Sequence, residues 1–259
     1  MDSQKILKFV IDSGAVMLQN GAETTRVEDT MIRLLKIYAF KENDVFATPT
    51  GIFGSIVDDN GNIITMVRRI NTRTINLEKV ALINNLSRNL VSEQISIDAA
   101  IIQLNLISNK PSYKNLYKYF ASGISSGCFA FIFGGSFFDA LNAFITGFLL
   151  YVFLIFLEKH SVIGPVTNIM GGAFVSMAAV IINHMGLGDS TDMSIIGSIM
   201  PLVPGVAFTN AVRDIIFGEY ISGTTRMIDA VLVAVCVATG VGIGLGIIFY
   251  AIGALSLWS

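Results

Sequence analysis

The chain has 259 residues, 53% of them hydrophobic and only 14% charged, with a mean hydropathy of +0.67. A soluble domain carries about 25% charged residues, so this composition excludes an ordinary soluble domain and assigns much of the chain to lipid. The net charge of −2 says little about partners, and no nucleic-acid partner is expected.

The charge is unevenly spread. Up to Lys118 there are fourteen Lys/Arg and twelve Asp/Glu; beyond it the bases are only Lys159, Arg213 and Arg226. The acids there are Asp139, Glu158, Asp189, Asp192, Asp214, Glu219 and Asp229. A polar domain over 1–112 therefore precedes a transmembrane helical domain over 113–259. The first 23 residues, with Asp2 and Asp12 and no long apolar core, do not read as a secretory signal.

In chain order, Ile6, Leu7, Val10, Ile11 and Leu18 repeat at helical spacing over 4–19, and Gly21 punctuates. A second helix is predicted over 24–39, with Thr24 or Thr25 as cap and Glu28 and Asp29 in its first turn. The period then changes. Residues 44–50 and 52–58 read as strands, Asp59-Asn60-Gly61 as a hairpin turn, and 62–70 as the answering strand. Helical pattern returns over 76–91 and 96–107, completing a small α+β domain.

After Lys110-Pro111 the predicted spans are about 116–135, 137–157, 162–184, 194–217 and 227–252, each near the roughly 20 residues a bilayer needs. The fold class is thus an α-helical integral membrane protein of about five spans with an N-terminal cytoplasmic α+β domain. Lys110, Lys114 and Lys118 put that domain inside, and Lys159, Arg213 and Arg226 then also fall on the cytoplasmic side. The acidic loop 185–193 falls outside.

Two stretches carry the densest chemistry. Met200-Pro201-Leu202-Val203-Pro204-Gly205 breaks the fourth span, because proline removes a donor and clashes with the preceding turn. In hydrocarbon such a break survives where protein buries it or where it lines a wet cavity, as in transporter sites. Asn210, Arg213 and Asp214 follow on one face, at i, i+3 and i+4. In the second stretch, Thr224 or Thr225 is the predicted cap of the fifth span, with Asp229 one turn inside and Arg226 close by. Pro201, Pro204, Gly205, Thr209, Asn210 and Arg213 are candidate substrate-binding residues. Asp214 and Asp229 are candidate proton-coupling carboxylates, supported by Arg226, Asp139 and Asn142.

The plainer readings stand beside these: a kinked packing helix with an interfacial ion pair, a helix start with its favoured acid, and inter-helix hydrogen bonds at Asp139 and Asn142. Gly123/Gly127, Gly240/Gly244 and Gly242/Gly246 are GxxxG pairs suited to close packing. No P-loop, His-bearing metal site or Ser-His pair is recognisable, so neither a cofactor nor an enzyme activity is expected.

At these motifs the sequence resembles the threonine/serine exporter family. The resemblance rests on Ser13-Gly14-Ala15, on Gly21-Ala22-Glu23-Thr24-Thr25-Arg26-Val27-Glu28, and on Met200 to Gly205 with Asn210-Ala211-Val212-Arg213-Asp214. Ser222-Gly223 and Arg226 complete it. It implies a secondary exporter, driven by an ion gradient, that removes threonine and serine from bacterial cytoplasm across the inner membrane. Single-chain members look like a fusion with a second, shorter block of membrane helices. This chain looks like the larger half of a split exporter, which implies a smaller membrane subunit or a homo-oligomer as partner. Similar two-subunit systems are associated with dicarboxylates such as succinate. The rival of another class is a membrane-anchored sensor or assembly protein.

Overall fold

The computed structural model describes residues 2–92 and 95–256. The chain falls into two compact units, Met1–Ser112 with Val206–Ile228, and Tyr113–Gly205 with Asp229–Ser259. Residues 206–228, which sequence patterning assigns to the membrane part, thus pack with the N-terminal segment.

The first unit is built around α1 (Ser3–Gln19), started by Asp2, whose carboxylate accepts the Lys5 N–H at 3.1 Å. Ile6, Leu7, Phe9, Val10, Ile11 and Leu18 leave α1 buried on nearly all sides, as a central rather than a surface helix must be. Around it lie α2 (Thr24–Lys36), the strands β1 (Glu42–Thr48), β2 (Gly51–Val57) and β3 (Ile63–Arg69), then α3 (Leu77–Val91) and α4 (Ile97–Ser108). The sheet is an antiparallel meander in the order β1-β2-β3. Ala47 opposes Ile52, and Gly54 opposes Met66. Ile52 and Ile56 face the core, while Phe53 faces out, the period-two pattern of a sheet covered on one side. The predicted Asp-Asn-Gly turn forms: Gly61 has φ +84°, and the Asp58 carboxylate accepts the N–H groups of Asn60 at 2.9 Å and Asn62 at 2.8 Å. The first strand ends at Thr48, short of the predicted Thr50, because Pro49 offers no N–H to continue the ladder.

The second unit contains α5 (Asn115–Ile132), α6 (Phe137–Lys159), α7 (Gly164–His184), α8 (Thr191–Ile199), the 3-10 turn Met200–Leu202 and most of α10 (Tyr220–Ser256). Its core gathers Leu150, Val175, Ala179, Ile195, Leu202 and Val237. Two of the three GxxxG pairs, Gly123/Gly127 and Gly240/Gly244, are used as close contacts, while Gly242 and Gly246 face open space. A Cβ on Gly123 or Gly127 would lie 2.9 Å from the Phe144 or Ala140 carbonyl of α6.

Among the described residues three helices are long and apolar enough to cross a membrane: α6, α7 and the Tyr220–Ala251 part of α10. A fourth is added if α8 with its 3-10 turn and α9 (Gly205–Ile216) are one broken span. The first predicted span coincides with α5, which is helical over 18 residues but is diluted by Lys118, Ser122, Ser125 and Ser126. The fifth predicted span starts earlier than expected. Gly218, at φ +89°, closes the turn after α9, and α10 begins at Tyr220. Thr224 and Thr225 are therefore inside the helix and cap nothing; the Thr225 hydroxyl donates to the Ile221 carbonyl at 2.8 Å.

Candidate functional site

The densest polar cluster of the first unit is the turn at 21–26 between α1 and α2. Gly21 holds φ +92°, a left-handed conformation natural to glycine, and turns the chain so that successive backbone groups point outward. Side chains from α9 and the start of α10 take them up. Asn210 Nδ2 donates to the Gly21 carbonyl at 3.0 Å, and Arg226 Nη2 donates to the Ala22 carbonyl at 2.9 Å. Glu23 pairs with Arg213 and, at 3.5 Å, with Arg26. Asp214 accepts both the Thr24 N–H and the Thr24 hydroxyl at 3.3 Å.

This last contact corrects the predicted helix start. The cap position of α2 belongs to Glu23, which makes no side-chain cap bond, and no acid sits in the first turn. The orphan N–H at the helix start is satisfied instead by a carboxylate 190 residues downstream, which the positive end of the helix dipole also favours. Asp214 is completely buried, and Arg226 Nε lies 3.1 Å from its Oδ2 with an 11% exposed side chain. A buried carboxylate needs a countercharge or hydrogen-bond donors, and Asp214 has both. Gly223 lets α9 and α10 meet closely: a Cβ there would be 2.9 Å from the Ala211 carbonyl.

Of the residues singled out from the sequence, Asn210, Arg213, Asp214 and Arg226 are thus assembled on one turn. Thr209 is exposed on α9, its hydroxyl donating to the Val206 carbonyl at 3.1 Å. The backbone break is real: Val203 is extended, at φ −66° and ψ 127°, between the 3-10 turn containing Pro201 and the start of α9 at Gly205, with Pro204 outside any helix. Pro201 and Leu202 line a cavity of about 370 Å³ in the second unit with Leu154, Glu158, Thr167 and Asn168. Asp229 is half-buried on α10 and belongs to the second unit.

Asp139 and Asn142 organise a separate network there. Ser136 and Asp139 form a reciprocal capping box at the start of α6. The other Asp139 oxygen accepts the N–H groups of Asp189 at 2.8 Å and Ser190 at 2.7 Å. Asn142 Nδ2 donates to the Ala179 and Leu187 carbonyls, both at 3.1 Å, and Asn142 accepts from Thr146 at 3.1 Å. These two residues pin the loop after α7 onto α6, and the Asn142–Ala179 bond joins α6 to α7.

The role of the 21–26 turn as receiver of α9 and α10 was missed by sequence reasoning, which read Glu23, Thr24 and Arg26 as a capped helix start. The available signal was complementary: two distant polar stretches, one with an acid and free backbone, one with two arginines.

Glu28, one turn further on, accepts the Ala47 N–H at 2.7 Å. Burial pushes its pKa up, the Ala47 bond pulls it back, and the charges of Glu219, Asp29 and Asp214 add to the rise. A cavity of about 590 Å³ adjoins the turn, and Glu23, Thr25, Arg26 and Arg213 are among its walls. No group of three His, Cys, Asp or Glu side chains fit to hold a metal ion occurs among the described residues, and Cys128 and Cys236 are free thiols.

Comparison with known proteins adds three findings. Residues 8–248 match the family described as "Putative threonine/serine exporter". The chain is 22% identical over 228 residues to a protein of Klebsiella aerogenes named "Probable succinate transporter subunit YjjP", covering 87% of each chain. It is also 22% identical over 238 residues to the protein of that name in Escherichia coli K12, covering 90% of this chain and 91% of the other. No solved structure matches.

Proposed function

We propose, from the premise that this chain belongs to the threonine/serine exporter family, that it is a subunit of a secondary-active exporter in a bacterial cytoplasmic membrane. It carries threonine, serine or a similar small carboxylate-bearing metabolite outward, coupled to protons. In this reading the chain has five spans with its N-terminal segment in the cytoplasm, and it works with a smaller membrane subunit.

The observation that carries the reading is the buried Asp214–Arg226 pair closed over Thr24, following a backbone broken at Val203 and Pro204. A carboxylate held by an arginine and a helix N-terminus is a site where one carboxylate can replace another. A proton on Asp214 would neutralise it and free Arg226 and the Thr24 N–H for a substrate carboxylate. Arg213, released from Glu23, orients that group, Thr209 and Asn210 hydrogen-bond the substrate, and Pro201, Pro204 and Gly205 keep the path open. Asp229 is the second candidate for the proton.

A second reading, export of a dicarboxylate such as succinate, is favoured by the names of the two relatives and uses the same groups. Efflux of labelled threonine, serine and succinate from cells carrying the chain, with and without a candidate small subunit, separates the two. Arg213→Ala, at normal membrane levels, is expected to lower efflux about tenfold or more, the worth of one charged hydrogen bond. Unchanged efflux would remove Arg213 from the transport site.

A further inference from the structure

The cavity beside the 21–26 turn has more positive charge than the transport reading uses. Four arginines line it: Arg26 and Arg33 from α2, Arg88 from α3 and Arg213 from α9. Only two carboxylates, Glu23 and Asp29, line it with them. Glu23 is already shared between Arg213 and Arg26. Arg33 and Arg88 are exposed and make no side-chain hydrogen bond or ion pair among the described residues. Like charges gathered around one cavity repel, and the two carboxylates offset only half of the four.

Two uncharged groups complete the wall. The Thr25 hydroxyl is buried with no hydrogen-bond partner among the described residues, a costly condition that a ligand oxygen would relieve. Asn84 accepts from Thr30 at 3.4 Å through its carbonyl oxygen, which leaves its amide N–H groups to donate. At about 590 Å³ the cavity has the size of a small-molecule site.

We infer that this cavity is a binding site for a small organic or inorganic dianion. Arg33 and Arg88 grip its oxyanion groups from two helices, Arg26 and Arg213 add positive charge to the wall, and Thr25 and Asn84 orient it. The excess of two positive charges matches a dianion, and guanidinium forks suit both carboxylate and phosphate oxygens. A zwitterionic amino acid, with one carboxylate and an ammonium group, is the wrong ligand for it. The site goes beyond the exporter reading, with which it shares Arg213, and rests on the cavity's own lining.

The test is isothermal titration of the full-length protein in detergent with succinate, with inorganic phosphate and with threonine, at low ionic strength. At least one dianion is expected to bind, with threonine at least about tenfold weaker. Arg33→Ala with Arg88→Ala should weaken dianion binding about tenfold or more, while the double lysine variant, which keeps charge but loses the fork, falls between. Thr25→Val should also weaken it. Preference for succinate or for phosphate identifies the chemistry of the natural ligand. Absence of dianion binding, indifference to the double alanine change, or threonine binding as tight as the dianions would each overturn the site. Titration needs no transport, so a protein that binds but does not export refutes only the exporter reading.

Discussion

The two units bury a carboxylate in opposite ways. Asp214 in the first is balanced by a cation, Arg226, and by one helix start at Thr24. Asp139 in the second is 1% exposed and is held by backbone dipoles, the N–H groups of Ser136, Asp189 and Ser190. Dipoles fixed by a loop hold a carboxylate in one state and serve architecture. A countercharge on a side chain can be shared with another anion. Under the proposed function, exchange chemistry would fall to Asp214, and Asp139 would serve as scaffold.

The largest effect is expected where the countercharge is removed. Arg226→Ala leaves Asp214 buried and unpaired and should cost about 3–5 kcal/mol in detergent unfolding. Replacing both partners, as Arg226→Met with Asp214→Leu, should cost clearly less, because no lone charge remains. If the double change is as damaging as the single one, Asp214 is a structural anchor like Asp139 and the contrast collapses. Asp139→Ala should cost about 2–3 kcal/mol, since three N–H groups lose a charged acceptor at once. Asp139→Asn, which keeps an acceptor, should lose less. Efflux per folded molecule should be unaffected by Asp139→Asn, and a selective transport defect would move Asp139 into the pathway.

The smallest effect concerns pH. Glu28 has its folded pKa raised above the ordinary 4.5, so the folded state holds its proton more firmly than the unfolded state does. Stability is therefore greatest below that ordinary value and declines as pH rises through the folded pKa. Glu28→Gln keeps an oxygen for the Ala47 N–H and should flatten this part of the stability–pH curve. An unchanged slope would assign the acid-range titration elsewhere.

Much of this was legible in residue patterns. The strands and their Asp59-Asn60-Gly61 turn, the helices beginning near Asn76 and Ser96, and the break at Pro201 to Gly205 depend on neighbours in sequence, and local chemistry announces them. Asn142 was legible as an inter-helix polar group, because a buried amide inside an apolar helix needs a partner on a neighbour. The Thr24–Asp214 and Glu23–Arg213 contacts were not legible as pairs. Each group has a complete local explanation, cap or interfacial ion pair, and periodicity carries no information about a partner 190 residues away. The early start of α10 was hidden because Tyr220 to Thr225 reads equally well as a loop leading into a cap.

The discontinuity of the first unit also has a consequence for biogenesis. A ribosome releases the Gly21 to Arg26 turn long before Asn210, Asp214 and Arg226 exist, and α5 to α8 must emerge in the interval. Throughout that time α2 begins without its carboxylate and Ala22 without its guanidinium donor. The amino-terminal segment therefore reaches its finished form only after the intervening helices have been made, so maturation of the first unit reports synthesis as far as Arg226.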